Sequence, residues 1–399
     1  MMNKRLTAQG FAILLFLLTI TATGPTTEWV VSQWIKPGVI QTACENAIPG
    51  LFGGTLLQSA AIKSPDVLPI YGSSELSHGG SFNPTKLFSG KPTGWVPFLV
   101  GHAGTEDLIQ ALYAGAQNLK GKKIALSLSA QWFSIGGIGQ KEFAANFSAL
   151  DAYKMLLSPS LTTQTKGDLA QRLLQFDQVQ KSYPVLAGLL KNYGHSDLRS
   201  RLIEITYWPM GRVELAALEI QDAVKTIEAI QHLPGGEIAN NEIGKLTKTL
   251  VSWSLLEQTT ITDGKATESN NPFGINNKIY SEQYKDKPNL KNSQVKFNLF
   301  PSKEYEDLNL LMRVLKDEGA DPIFIIQPLN GFWCDYTGLP KAQRQKYYET
   351  IREMSDQYGY VLDDFSGHEY DRYFMGDSSH PGEKGWLEID EALDKSVHQ

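Results

Sequence analysis

"DVLPIYGSSEL", residues Asp66 to Leu76, decides the fold. Val67 to Tyr71 is a short apolar run that stops at Gly72, the pattern of a buried strand entering a tight turn. Working outward, the same signal recurs in "WVPFLVG" (Trp95 to Gly101), "KKIALSLSA" (Lys122 to Ala130), "DPIFIIQPL" (Asp321 to Leu329) and "YVLDDF" (Tyr360 to Phe365). Helical patterns separate them. "HAGTEDLIQALYAGAQ" follows the second strand, with Thr105 as N-cap and Glu106 and Asp107 loading the first turn with negative charge. "SKEYEDLNLLMRVLKDEGA" precedes the fourth strand, "KAQRQKYYETIREMSDQYG" precedes the fifth, and a last helix opens at Pro381. Strands alternating with helices of this length predict an α/β fold: a parallel sheet covered by helices on both faces. The interval 142–302 breaks the alternation. It is mostly helical in pattern ("DLAQRLLQFDQV", "VELAALEIQDAVKTIEAIQ", "GKLTKTLVSWSLLEQ") and turns polar and Asn-rich from Thr267 to Asn292, so it reads as an insertion or cap between the third and fourth strands.

The chain of 399 residues is long enough for one large domain with an insertion. Its apolar share of 42% and charged share of 20% are those of a globular protein and exclude long disorder. A net charge of -6, without a basic stripe interleaved with aromatics, excludes a nucleic-acid partner. At the N-terminus, Lys4 and Arg5 precede a charge-free stretch from Leu6 to Gly24 that contains "FAILLFLLTITA". The stretch is near the lower limit for one membrane-spanning helix and a little long for a signal-peptide core, and no small-x-small cleavage site follows it. It reads as a retained anchor in residues 1–27, with the basic end cytoplasmic, Trp29 and Trp34 at the far interface, a linker over 28–66, and an extracellular domain over 67–399. The two cysteines, Cys44 and Cys334, cannot form a disulfide framework; a single bridge and two thiols both remain open. Seven scattered histidines form no HxH or HExxH pattern and there is no CxxC, so neither a metal nor another cofactor is expected.

In an open α/β sheet, ligands bind beyond the carboxyl ends of the strands. The residues there are Gly72 to Glu75, Gly101 to Gly104, Gln131-Trp132 and Asn330 to Tyr336. The loop "GDSSHPGEKGW" (Gly376 to Trp386) lies on the same rim and holds Asp377 and His380 three residues apart. Pro381 pushes His380 toward extended geometry at a helix N-terminus, where the dipole favours the neutral imidazole. Asp377 can reach the other ring nitrogen and set its tautomer. The same residues also suit an Asx-turn with a solvated histidine. Ser73 and Ser74 both offer a hydroxyl on a sharp turn, where a serine nucleophile would need to sit.

Gly-x-Ser after the first strand together with Asp-x-x-His-Pro before the last helix resembles the SGNH (GDSL-like) hydrolase superfamily. Across nearly the whole chain, "PIYGSSEL", "GTEDLIQA", "QWF", "AQRLLQF", "NGFW" and "KGW" resemble the DltD family of that superfamily. The resemblance implies a three-layer, flavodoxin-like sandwich with a helical insertion and an N-terminal transmembrane helix. It also implies a serine acyltransferase or esterase in D-alanylation of lipoteichoic acid. Ser74 would then be the nucleophile, His380 the general base and Asp377 its orienter. The Gly104 N–H would be an oxyanion donor. The superfamily's asparagine donor is missing, and Gln131 stands at the matching strand end. Asn330 and Trp333 would line the substrate side, and Trp333 and Trp132 equally suit core packing. The implied partners are the membrane O-acyltransferase DltB, other Dlt-system proteins, and lipoteichoic acid as acceptor. An esterase or thioesterase that removes misplaced acyl groups, and a non-catalytic scaffold of the membrane complex, are the alternative readings.

Overall fold

A computed structural model describes residues 2–35, 37–46, 55–78, 80–194, 198–233 and 248–399. Five strands, β1 (Val67–Tyr71), β2 (Val96–Val100), β3 (Lys123–Leu128), β4 (Asp321–Ile326) and β5 (Val361–Asp364), form one sheet in the order β2-β1-β3-β4-β5. Every pairing is parallel. All five apolar runs are strands, each within a residue or a few of its expected limits. The three central ones are buried along almost their whole length because both faces are covered.

Side chains alternate across the sheet and feed two cores. Val67 and Tyr71 of β1 point to one face, with Leu126 and Phe324, under the helices Asp107–Gly115 and Glu304–Glu318. Leu68 and Ile70 point to the other, with Ala125 and Ile323, under Pro84–Gly90 and the last helix, Glu383–His398. The strand order reverses direction between β1 and β3, the arrangement of flavodoxin-like sheets, so the loops leaving these two strands diverge and open a crevice at their carboxyl ends.

The segment between β3 and β4 is the insertion. Its helices include Gln140–Asn146, Ala149–Leu157, Thr163–Leu173, Pro184–Asn192, Leu198–Gln231 and Trp253–Thr267. The helix expected in "GKLTKTLVSWSLLEQ" begins only at Trp253. Lys248 instead bridges to Thr93, and residues 244–247 lie outside the described ones.

One local expectation is corrected. Thr105 is not the cap of the helix that follows β2: the helix is Asp107–Gly115, its N-cap position is Glu106, and the Thr105 hydroxyl accepts from the His102 N–H and donates to Asn146. Asp107 is the acid of that first turn and is fully buried, beside Glu304 and Asp307. Cys44 and Cys334 are both buried and are not joined by a disulfide.

The N-terminal stretch is helical from Met2 to Ser32. Its C-terminal part lies along Leu198–Gln231, where Val31 is buried with Leu56 and Ala223. Phe16, Leu18 and Trp29 are exposed. Among the described residues no helix is long and apolar enough to cross a membrane, and the side chains of residues 1–15, which include half of the expected span, lie outside the described ones.

Candidate active site

Ser74 opens the single turn Ser74–Ser77 that follows β1. The turn is sharp because glycines let neighbouring backbone close on it. Gly101, at φ +119°, lies so near that a Cβ there would sit 2.0 Å from the Gly72 carbonyl oxygen. Beneath the turn, Glu75 is fully buried and its Oε1 accepts the Ser73 N–H at 2.8 Å.

The Asp377–His380 loop comes to Ser74 from the other end of the chain. His380 Nε2 lies 2.8 Å from Ser74 Oγ, and His380 Nδ1 lies 2.8 Å from Asp377 Oδ2. Asp377 Oδ1 accepts the backbone N–H groups of Ser379 and His380, both at 2.8 Å. Burial works against the Asp377 carboxylate, yet the imidazole and these two N–H groups outweigh it and hold the acid below its ordinary range. Burial likewise pulls His380 down, but the Asp377 hydrogen bond and charge, with Glu75 beyond, leave its net shift upward.

That upward shift corrects the expectation of a helix dipole favouring the neutral ring. The last helix begins at Glu383, capped by Gly382, rather than at Pro381. Pro381 pairs with Met375 in an antiparallel bridge, and the Gly376 and Gly382 N–H groups bond to the His380 and Phe374 carbonyls at 2.9 and 2.8 Å. The returning backbone therefore keeps residues 380–382 out of the helix, and the Asp377 and Glu75 carboxylates are what raise the His380 pKa against burial.

The remaining expected residues fall around this line. The Gly104 N–H, at φ +83°, donates to Ser73 Oγ at 3.0 Å, and Ser73 Oγ donates to the His102 carbonyl at 3.3 Å, so Ser73 ties the loops after β1 and β2 together. Gln131 is exposed at the end of β3, and its Oε1 accepts from the Ser379 hydroxyl at 2.9 Å, which turns its amide toward the same loop. Asn330 and Trp333 are 3% and 5% exposed and lie behind the histidine loop. Asn330 caps the helix Gly331–Thr337 and donates to the carbonyls of Phe273 and Asp377 at 3.0 and 3.4 Å. Trp333 packs edge-on against Phe273 and Tyr284, and the Tyr284 hydroxyl meets Ser378 at 3.1 Å. Trp132 is buried.

Three further residues belong to the site and escaped the sequence reading. The His78 ring stacks on His380, with centroids 4.3 Å apart and planes 4° apart, while its Nδ1 meets the Ser74 carbonyl at 2.8 Å. Burial, then the neighbouring His380, lowers its pKa. Its spacing of four from Ser74 in "SSELSH" was the available signal. Glu268 and Glu383 line a cavity of ≈ 500 Å³ that also has His78, Asp377 and His380 in its wall. Nothing local marked Glu268, which stands in the polar stretch read as cover.

Among the described residues two groups of side chains could gather round a cation. Ligand atoms of His78, Asp377 and His380 lie close together, but Asp377 and His380 are already bonded to each other. In the group His368, Asp371 and Glu388 the Lys384 ammonium stands 2.5 Å from Asp371, where a metal would go. The arrangement is suited to nucleophilic chemistry at a hydroxyl: a serine hydrogen-bonded to an imidazole whose other nitrogen is fixed by a carboxylate.

The family profile described as DltD protein matches residues 48–398. The chain belongs to the DltD family. It is 33% identical over 388 residues to protein DltD of Bacillus subtilis (strain 168), covering 97% of this chain and 96% of that one. Protein DltD of Staphylococcus aureus (strain NCTC 8325 / PS 47) is 32% identical over 347 residues, covering 86% and 84% of the two chains. For protein DltD of Lacticaseibacillus rhamnosus the identity is 30% over 369 residues, with 89% and 82% covered. This family match extends over both ends of the hydrogen-bonded line, from Ser74 to His380.

Proposed function

We propose that this DltD-family chain is a membrane-anchored, extracellular serine acyltransferase that carries D-alanine to lipoteichoic acid through a D-alanyl ester on Ser74. The observation that carries the reading is the unbroken line Ser74 Oγ–His380 Nε2, His380 Nδ1–Asp377 Oδ2, with both distances at 2.8 Å. Family membership supplies the acyl group, since the Dlt system serves D-alanylation of teichoic acid.

Ser74 Oγ attacks the carbonyl of an activated D-alanyl ester or thioester while its proton passes to His380 Nε2. The tetrahedral oxyanion is held by the Gly104 N–H, once Ser73 Oγ yields it, and by the Gln131 side-chain NH2. Its collapse releases the leaving alcohol or thiol, which takes the proton from His380. A polymer hydroxyl then attacks the Ser74 ester, gives its proton to His380, and leaves as the D-alanyl ester; Ser74 Oγ recovers that proton. Outside the cell the acyl group must arrive already activated, so a membrane protein has to pass it across, the place of DltB in this reading. Exposed Phe16, Leu18 and Trp29 on the N-terminal helix support attachment at the membrane. Asn330 and Trp333 serve the site by supporting the histidine loop.

The test is to label the full-length protein with a fluorophosphonate and map the adduct. Labelling at Ser74, lost in Ser74→Ala, is the expected result. An unlabelled wild-type protein, or a Ser74→Ala strain with undiminished D-alanylation, would mean the scaffold reading is right.

A further inference from the structure

We infer that Glu268 is the ammonium-recognition residue of the site: the cavity wall shared by Glu268 and His380 receives the α-ammonium of the aminoacyl group on its way to Ser74. The inference rests on the serine acyl-transfer reading above and adds a determinant of specificity to it.

Glu268 is held where a carboxylate is poorly served by the protein alone. It is 6% exposed, and its Oε2 has no hydrogen-bond partner among the described residues. Burying an acceptor without a donor costs free energy, more so for a charged group. Its position is the C-cap of the helix Trp253–Thr267, where the Glu268 N–H bonds to the Gly264 carbonyl at 2.8 Å. The negative end of the helix dipole adds a second penalty there. Glu383 adds a third. Burial first, and then the Glu383 charge, raise the Glu268 pKa to about 8. Three unfavourable terms on one side chain are the mark of a group waiting for a cation.

Charge across the cavity points the same way. Its wall carries Asp263, Glu268, Asp377 and Glu383 against the single lysine Lys384. Lys384 is committed elsewhere, 2.5 Å from Asp371 and 3.6 Å from Glu388. Asp377 is committed to His380. Among the described residues Glu383 accepts only a long bond, from the Ser81 N–H at 3.3 Å. Among the described residues the acidic groups left to meet a cation are therefore Asp263, Glu268 and Glu383, and Glu268 is the buried one, whose carboxyl ionises as the cation takes its place beside it. The cavity's ≈ 500 Å³ is ample for an aminoacyl group and small for a polymer. An entering ammonium would satisfy the orphaned oxygen and neutralise the helix end in one step. It would also place a carbonyl attached two bonds away in the cavity that His380 lines.

The experiment measures the rate of fluorophosphonate labelling at Ser74 in the full-length protein, with small esters as competitors. D-Alanine methyl ester is expected to slow labelling of the wild type at a concentration at least about tenfold lower than methyl propionate, the value of one charged hydrogen bond. N-Acetyl-D-alanine methyl ester, which keeps the shape but not the charge, is expected to do no better than methyl propionate. In Glu268→Gln, with each rate read against that variant's own uncompeted labelling, the advantage of the ammonium ester should vanish. A wild type that does not distinguish the three esters overturns the inference, and so does a Glu268→Gln variant that keeps the preference. Equal weakening of all competitors in that variant would show a structural role instead and also overturns it. Failure of the wild type to label at Ser74 is a separate result, which removes the serine chemistry and this inference together.

Discussion

Replacing Asp377 by Asn tests the histidine loop with the least disturbance to its shape. In the native loop Oδ1 accepts two backbone N–H groups, of Ser379 and His380, and Oδ2 faces His380 Nδ1. An asparagine has one oxygen to offer. The two backbone donors are fixed and buried, so the oxygen stays with them and the NH2 turns toward Nδ1. Nδ1 must then be the unprotonated, accepting nitrogen, which puts the ring proton on Nε2, facing Ser74 Oγ. In that tautomer the ring cannot take the serine proton. The same tautomer exchange in the serine-protease template costs about 10⁴ in turnover, or about 5.4 kcal/mol of barrier at 1.36 kcal/mol per decade. We therefore expect Asp377→Asn to lower Ser74 fluorophosphonate labelling and acyl-ester turnover by about 10⁴ while its Tm stays within a few degrees of wild type. His380→Ala should lose as much, and the double variant little more than the worse single one, because the residues act as a unit. A loss under about tenfold, or losses that add and track a falling Tm, would refute the reasoning and leave the loop as a surface turn.

Other outcomes follow from the same geometry. Ser74→Ala should abolish labelling, whereas Ser73→Ala, which unties the Gly104 N–H, should slow it without abolishing it; the reverse pattern would shift the nucleophile by one residue. Because the net shift of His380 is upward, the labelling rate should fall as pH drops through a midpoint above 6.5, and Asp377→Asn should move the residual rate's midpoint down; a pH–rate profile checks both. Burial pushes Glu106 to about 8 and carries Asp107, Glu304 and Asp307 upward as well. Such carboxyls bind protons more tightly folded than unfolded, so their stabilisation is complete below their unfolded pKa values and is lost as pH rises toward the folded ones. Tm should accordingly fall between pH 6 and pH 8, and Asp107→Asn, whose native oxygens have no partner among the described residues, should flatten that slope in differential scanning. A reporter fused after Gln399 should be active only outside the cell; cytoplasmic activity would overturn the anchor orientation.

The residues of the site were legible in the sequence to the extent that local chemistry announces them. A short run of strand-forming residues bounded by turn signals is a strand for reasons contained within it, and all five such runs became strands of one sheet. Asp377 and His380 are legible because three residues of loop suffice to join them. The bond from His380 to Ser74 spans 306 residues; the rule that loops at strand ends converge brought the two loops together, and the family resemblance chose Ser74 over Ser73. Where a position depends on what packs over it, the sequence was a poor guide. Thr105 has the chemistry of a cap, but its hydroxyl is claimed by His102 and Asn146, which arrive from other elements. Glu106 and Asp107 announce an acidic helix start, and nothing beside them in the chain announces the burial that comes with Glu304. Pro381 suits a helix start, yet its pairing with Met375 delays the helix to Glu383. Glu268 is the extreme case. A glutamate in a polar, Asn-rich stretch has no period, partner or neighbour to mark it, and its character arises wholly from burial, a helix end and Glu383 from the far end of the chain. The insertion thus supplies a wall of the cavity that holds His380, and the part of the chain with the weakest sequence signal is the part that can select the acyl group.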